Sequence, residues 1–389
     1  MVRTGLDGLL ADGGKCLHGR SFGILCNQAS ITRTGAHIVD ALLDGHRANR
    51  FRIDCLFGPE HGIWGHAQDM VEVAGSPDAR TGLPINSLYG ERRRPTSVSL
   101  SAIDLLLVDL QDIGSRYYTF IWTMALCMEA CAEKDVEMLV LDRPNPIGGS
   151  VEGTVTEPGF ESFVGLHPLP TRHGLTIGEV ANYLKERYYP ALKLEIGRLH
   201  GWNRRRFFDE CGLLWAPPSP NMPSLSTAIV YPGMCLLEGT NLSEGRGTTR
   251  PFETFGAPFI DPWSYCERLN SLNLPGVYFG PIQFQPTFHK HAGEICGGAF
   301  LHMLDRDSFE PVLTGVAVLQ ETLRLYPQSF TWRPPPYEYE TEKLPFDILA
   351  GNSWLRKDLE EMSPLAQIRE RMTAECAAFE PVRQMSLLY

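Results

Sequence analysis

The chain lacks most of the signals that announce a cofactor, a metal or a membrane. No G-x-G-x-x-G follows an apolar strand pattern, and Gly245-Arg246-Gly247-Thr248-Thr249 has neither the lysine nor the spacing of a phosphate loop. A nicotinamide cofactor is therefore not expected, and no other cofactor is called for. Neither H-x-x-x-H nor H-E-x-x-H occurs, so His61, His66, Asp69, Asp112, His173, His289 and His291 form no recognisable metal motif, and no metal is expected. The ten cysteines show no C-x-x-C spacing and several sit in apolar runs, which reads as buried free thiols. No apolar run reaches the roughly 18 residues that a membrane span needs. Basic residues are the minority, 35 against 46 acidic for a formal charge of −11, which argues against nucleic acid or anionic lipid as the main partner. Met1 to Asp7 lacks an apolar leader core. The expected location is the cytoplasm as the sequence reads, or the periplasm or exterior if a leader has been removed.

What is present is an alternation of short apolar runs with helical patterns over the first half. Candidate strands are Phe22–Cys26, Phe51–Phe57, Leu105–Asp109, Glu137–Asp142 and Leu192–Arg198, and candidate helices are His37–Asp44, Thr119–Lys134 and Thr176–Tyr188. This order predicts an α/β fold with a Rossmann-like parallel sheet. Proline density at Trp215–Pro223 forbids regular structure and marks a boundary, giving domains 1–216 and 217–389. The second half mixes strands (Gly276–Phe284, Gly298–Leu304) with a helical segment from about Leu355 into Arg371, and reads as a smaller α+β domain. An active cleft is expected between the two.

Strand ends carry the chemistry. Asn27 and Gln28 follow the first strand, Glu60 and His61 the second, Asp109 to Asp112 the third, and Arg143 to Pro146 the fourth. In an open α/β sheet such ends converge on one rim. Phe57-Gly58-Pro59-Glu60-His61-Gly62 sets a carboxyl beside an imidazole on a stiff turn, where partial burial would favour a general acid. Asp109 to Thr119 adds Gln111, Asp112, Arg116, Tyr117 and Tyr118, a set suited to a sugar or a carboxylate, although Asp112 or Thr119 could equally cap the following helix. Asn145 belongs to the fourth cluster. His173, a candidate substrate contact, precedes Thr176-Ile177-Gly178-Glu179, a capping box in which Glu179 is structural. The polar segment Glu238–Glu253 offers Glu244, Arg246 and Arg250, either for an anionic substituent or as an internal salt-bridge network.

With these blocks assembled, the sequence resembles the exo-acting β-N-acetylmuramidases of the NamZ type, long catalogued only as a domain of unknown function. The blocks are Asn27–Ser30, Phe57–Gly62, Asp78–Pro84, Ser87–Gly90, Asp109–Thr119, Leu141–Pro146, Arg172–Glu179, Pro218–Pro223 and Glu238–Glu253. The resemblance implies removal of terminal N-acetylmuramic acid from the non-reducing end of peptidoglycan fragments. It also implies muramic acid glycosides as partners and a candidate catalytic glutamate at Glu60.

The expected mechanism has Glu60 protonating the leaving oxygen and His61 orienting the site. For the second carboxylate, Asp112 stands first, then Asp109 and Glu244, with the substrate's own acetamido group as the alternative. Arg116, Arg143, Arg246 or Arg250 would meet the lactyl carboxylate. The competing readings are a metal-assisted esterase or amidase and a non-catalytic cell-wall sugar-binding protein.

Overall fold

A computed structural model describes residues 1–65, 67–68 and 77–389. Its centre is a six-stranded parallel sheet. The strands are β1 (Ser21–Cys26), β2 (Arg52–Gly58), β3 (Ile85–Ser87), β4 (Leu105–Asp109), β5 (Glu137–Leu141) and, after a two-stranded ribbon of β6 (Glu152–Val155) and β7 (Pro170–Arg172), β8 (Leu194–Gly197). The order is β3-β2-β1-β4-β5-β8, with every pairing parallel. Taken in chain order this is the doubly wound arrangement, whose strand sequence reverses between β1 and β4. All five residues of β4 are buried, as a central strand covered by helices on both faces requires.

The five strands expected from sequence are all present, and the three helices appear as Ile38–Arg47, Phe120–Lys134 and Ile177–Arg187. Thr176 caps the last of these, and Glu179 reaches back to its backbone amide. The Phe120–Lys134 helix buries residues on nearly every face, Cys127 and Cys131 among them, because the sheet and the helices Ser97–Leu100 and Ile177–Arg187 pack around it. All ten cysteines are free, and only Cys16 is exposed.

The second half adds a three-stranded antiparallel sheet, β9 (Thr254–Ala257), β10 (Val277–Phe284) and β11 (Cys296–Met303), in the order β10-β11-β9. The helical segment expected from Leu355 into Arg371 is two helices, Trp354–Glu360 and Leu365–Gln384. Met362 takes φ +57° and Pro364 begins the second helix, because the residue before a proline is disfavoured in helical geometry. One hydrophobic cluster runs from Leu25 and Phe57 through Trp122 to Leu319 and Phe379, so the two halves share a core. The chain end returns to the parallel sheet: the Tyr389 hydroxyl donates to buried Asp142, and Glu179 accepts the Leu388 amide. No helix among the described residues is long and apolar enough to cross a membrane.

Candidate active site

Glu60 follows β2 in the turn Pro59–Gly62, closed by the Gly62 amide donating to the Pro59 carbonyl. His61 and Gly62 both take positive φ, +70° and +75°. That geometry is uncommon for a histidine and persists where surrounding contacts hold it. Here the His61 imidazole Nδ1 lies 3.0 Å from the Ala67 carbonyl, which can only accept, so this nitrogen carries the proton.

The Glu60 side chain is 6% exposed, and the Thr119 hydroxyl donates to its Oε2 at 2.7 Å. Thr119 stands at the start of the Phe120–Lys134 helix without capping it, so its hydroxyl is available to Glu60. Beyond β3 the Leu88 amide donates to the Gly58 carbonyl at 2.8 Å, which sets Tyr89 beside the Glu60 turn. Burial first, then the charges of Glu60 and Glu338, push the Tyr89 phenol up. Burial first, then the charges of Asp112 and Glu60, hold the Tyr118 phenol well above its ordinary range, partly offset by Arg246 and Ser219. Glu60 is thus buried and held by Thr119, and its charge acts on the Tyr89 and Tyr118 phenols.

Asp112 and His173 are brought together by the fold, with His173 Nε2 lying 3.2 Å from Asp112 Oδ2. The Leu175 amide donates to His173 Nδ1, which leaves the ring proton on Nε2, facing the carboxylate. Asp112 Oδ2 also accepts the Gly114 amide at 2.7 Å, while Oδ1 is buried without a hydrogen-bond partner. Gly114 is at φ +82°, and an added Cβ would collide with Asn145. In this arrangement Asp112 Oδ2 pins the connection that presents Tyr118 and Thr119.

Several expected binding residues face the protein itself. Arg116 is fully buried and donates to the carbonyls of Thr154, Leu169 and Leu349, while burial lowers its pKa. Arg143 forms a two-pronged pair with Asp109 at 2.6 and 2.8 Å and also holds the Ile31 carbonyl. Asp109 is thereby removed from the candidates for second carboxylate. Tyr117 donates to the Pro232 carbonyl, Gln111 to those of Asp112 and Pro144, and Asn145 to that of Leu175. Asn27 and Gln28 donate to Pro218 and Pro217, so the proline-rich segment lies across the reversal point of the sheet. The physical reason is common to all: loop backbones brought under the surface must find donors, and these side chains supply them.

The Glu238–Glu253 segment is the internal network. Glu244 is buried, and although burial opposes ionisation, Lys290, His289 and Arg246 hold its carboxyl well below the usual range. Arg246 also pairs with Glu238 at 2.8 Å, and Tyr337 donates to the same carboxylate. Glu244 is corrected from substrate contact to the anchor of Lys290, whose ammonium donates to it and to the carbonyls of Leu237, Glu238 and Leu242. Arg250 is half exposed beside Glu253 at 3.4 Å, on the rim. His289 and His291 sit in a turn rather than a strand. Among the described residues no three metal-ligating side chains cluster; His66 and Asp69 lie outside them.

Sequence reasoning missed Tyr89 and Glu338. The Tyr89 hydroxyl lies 3.3 and 3.4 Å from the two Glu338 oxygens. Ser87-Leu88-Tyr89-Gly90 was noted only as a block of resemblance, and Glu338 follows three prolines with no strand pattern to draw the eye.

The family profiles of the exo-β-N-acetylmuramidase NamZ match this chain over residues 22–226 (N-terminal part) and 229–389 (C-terminal part). The chain belongs to the NamZ family. It is 42% identical over 389 residues to the peptidoglycan β-N-acetylmuramidase NamZ of Bacillus subtilis (strain 168), covering 100% of this chain and 91% of that protein. Two crystal structures of DUF1343 family proteins from Bacteroides fragilis NCTC 9343 share the fold, with TM-scores of 0.88 and 0.78 at 34% and 28% identity. Each match covers 100% of this chain and 99% of the other. Family membership makes the chain a glycosidase, with its Rossmann-like sheet followed by a smaller domain.

Proposed function

We propose that this chain is an exo-β-N-acetylmuramidase that releases terminal N-acetylmuramic acid from the non-reducing end of peptidoglycan fragments, with Glu60 as general acid. The observation that carries the assignment is the burial of the Glu60 carboxyl at the end of β2, held in direction by the Thr119 hydroxyl at 2.7 Å. A glycosidase needs a carboxyl that is sheltered from bulk water yet fixed in direction, so that its proton goes to the departing oxygen. Relatives at this identity support the substrate. The lactyl carboxylate is assigned to Arg246, whose charge acts on the Tyr118 phenol, whereas Arg116 is engaged by backbone carbonyls and Arg143 by Asp109.

The test is product analysis by NMR with a defined β-glycoside of N-acetylmuramic acid. Free N-acetylmuramic acid from the non-reducing end is expected, and loss of that product in Glu60→Gln. A Glu60→Gln protein that turns over at near wild-type rate would refute the acid. Products from internal cleavage would refute the exo assignment.

A further inference from the structure

The Tyr89 hydroxyl ties a carboxyl from the far end of the sequence to the segment that carries Glu60. Glu338 lies 3.3 and 3.4 Å from it. The Leu88 amide, next to Tyr89, donates at 2.8 Å to the carbonyl of Gly58, two residues before Glu60. Inverting glycosidases hold their two carboxyls roughly 6.5 to 9.5 Å apart, with room for a water between them. Glu338 is 7% exposed and lines a cavity of about 760 Å³ together with Arg93, Phe163 and Tyr339.

The backbone at Glu338 points the same way. Tyr337 and Glu340 exchange backbone hydrogen bonds at 2.9 Å, closing a two-residue turn with Glu338 and Tyr339 at its tip. Both tip residues take positive φ, +44° and +70°. Turns of this kind favour Asn-Gly, because a side chain there is strained. Here two bulky residues occupy them. The Gly90 amide donates to the Tyr339 hydroxyl at 3.0 Å, which locks the tip onto the Tyr89 segment.

We propose that Glu338 is the second carboxyl group of the site, accepting the proton of the attacking water, with Tyr89 as the path by which that proton returns to Glu60. The inference rests on the muramidase reading and deepens it. In the step, Glu60 gives its proton to the glycosidic oxygen, which departs with the bonding electron pair. Water forms the new bond to the anomeric carbon, and its proton passes to the Glu338 carboxylate. Tyr89 then gives its hydroxyl proton to Glu60 and takes that of Glu338, which restores both carboxyls without an outside donor. A single displacement of this kind inverts the anomeric centre.

The test uses the full chain with two β-muramides, one bearing a sugar as leaving group and one bearing 4-nitrophenol. Glu338→Ala is expected to lose about 10³-fold in kcat on both, since a missing water activator does not depend on the leaving group. Sodium azide should restore turnover to this variant and yield a glycosyl azide. Glu60→Gln should be crippled on the sugar glycoside and far less on the nitrophenyl one. The wild type should release the α-anomer first. Glu338→Gln, of nearly unchanged shape, serves if the alanine variant does not fold. Turnover by the Glu338 variants within about tenfold of wild type, absence of azide product, or a β-anomer released first would each overturn the assignment. A wild-type chain that hydrolyses neither glycoside would instead sink the muramidase reading, and this inference with it.

Discussion

The rim beyond β1, β4 and β5 and the corner beyond β2 differ in what their polar side chains face. On the rim, Asn27, Gln28, Gln111 and Asn145 donate to backbone carbonyls, and Arg143 is closed on Asp109. At the corner, Thr119 meets Glu60 and Tyr89 meets Glu338, side chain to side chain. In open doubly wound sheets the reversal point between strands is where ligands bind. Here that crevice is occupied by the chain's own Pro217–Pro218 segment, and the proposed chemistry lies one strand away. In this proposal dense polar residues at strand ends mark two different things, a plugged crevice and a site.

The comparison breaks if the two regions respond alike to substitution. Glu60→Gln should lower kcat about 10³-fold on a sugar glycoside, worth about 4 kcal/mol of transition-state stabilisation, with the melting temperature little changed. Arg143→Met should do the reverse. It strands the fully buried Asp109 carboxylate, so a loss of about 3 to 5 kcal/mol in denaturant unfolding is expected, with kcat of the folded fraction unchanged. A stable Arg143→Met enzyme with low turnover would move the rim into the site.

Arg246 sharpens the boundary between network and site. Arg246→Gln should raise KM for a muramide about tenfold more than for the matching N-acetylglucosaminide, since only the former carries the lactyl carboxylate. Equal losses would return Arg246 to the Glu238–Glu244 network alone.

The smallest effect lies far from both regions. Burial pushes the Glu152 carboxyl up to about 7, against the opposing charge of Arg172 and the Leu313 amide. Above the unfolded value of 4.5 the folded chain holds a proton that the unfolded chain has released. Stability therefore falls as pH rises from there to about 7 and levels off beyond it. Glu152→Gln should flatten this slope by about 1 kcal/mol, discounted for the partial exposure of the residue. A variant with the wild-type slope in urea titrations at pH 4.5 to 7 would exclude Glu152 as its source.

Much of the sheet was legible because buried parallel strands are continuous apolar runs, such as Leu105–Val108, and because Thr176-Ile177-Gly178-Glu179 announces a helix start. The burial of Glu60 at a strand end was legible for the same reason, since a charged pair on a Gly-Pro turn after such a run stands out. The contacts of Arg116 and Arg143 were not legible, because a guanidinium suits a substrate carboxylate and a buried carbonyl equally well. Nor were those of Asp112, because sequence shows the residue and not the Gly114 amide and His173 ring beside it.

The amino-acid order alone determined the strand and helix pattern and the family, because each is written in local periodicity or in contiguous blocks. Tertiary structure decided which polar groups meet. Tyr89 and Glu338 are 249 positions apart and joined by one hydroxyl. No local pattern encodes that meeting, since it depends on how the second half of the chain packs over the carboxyl ends of the sheet.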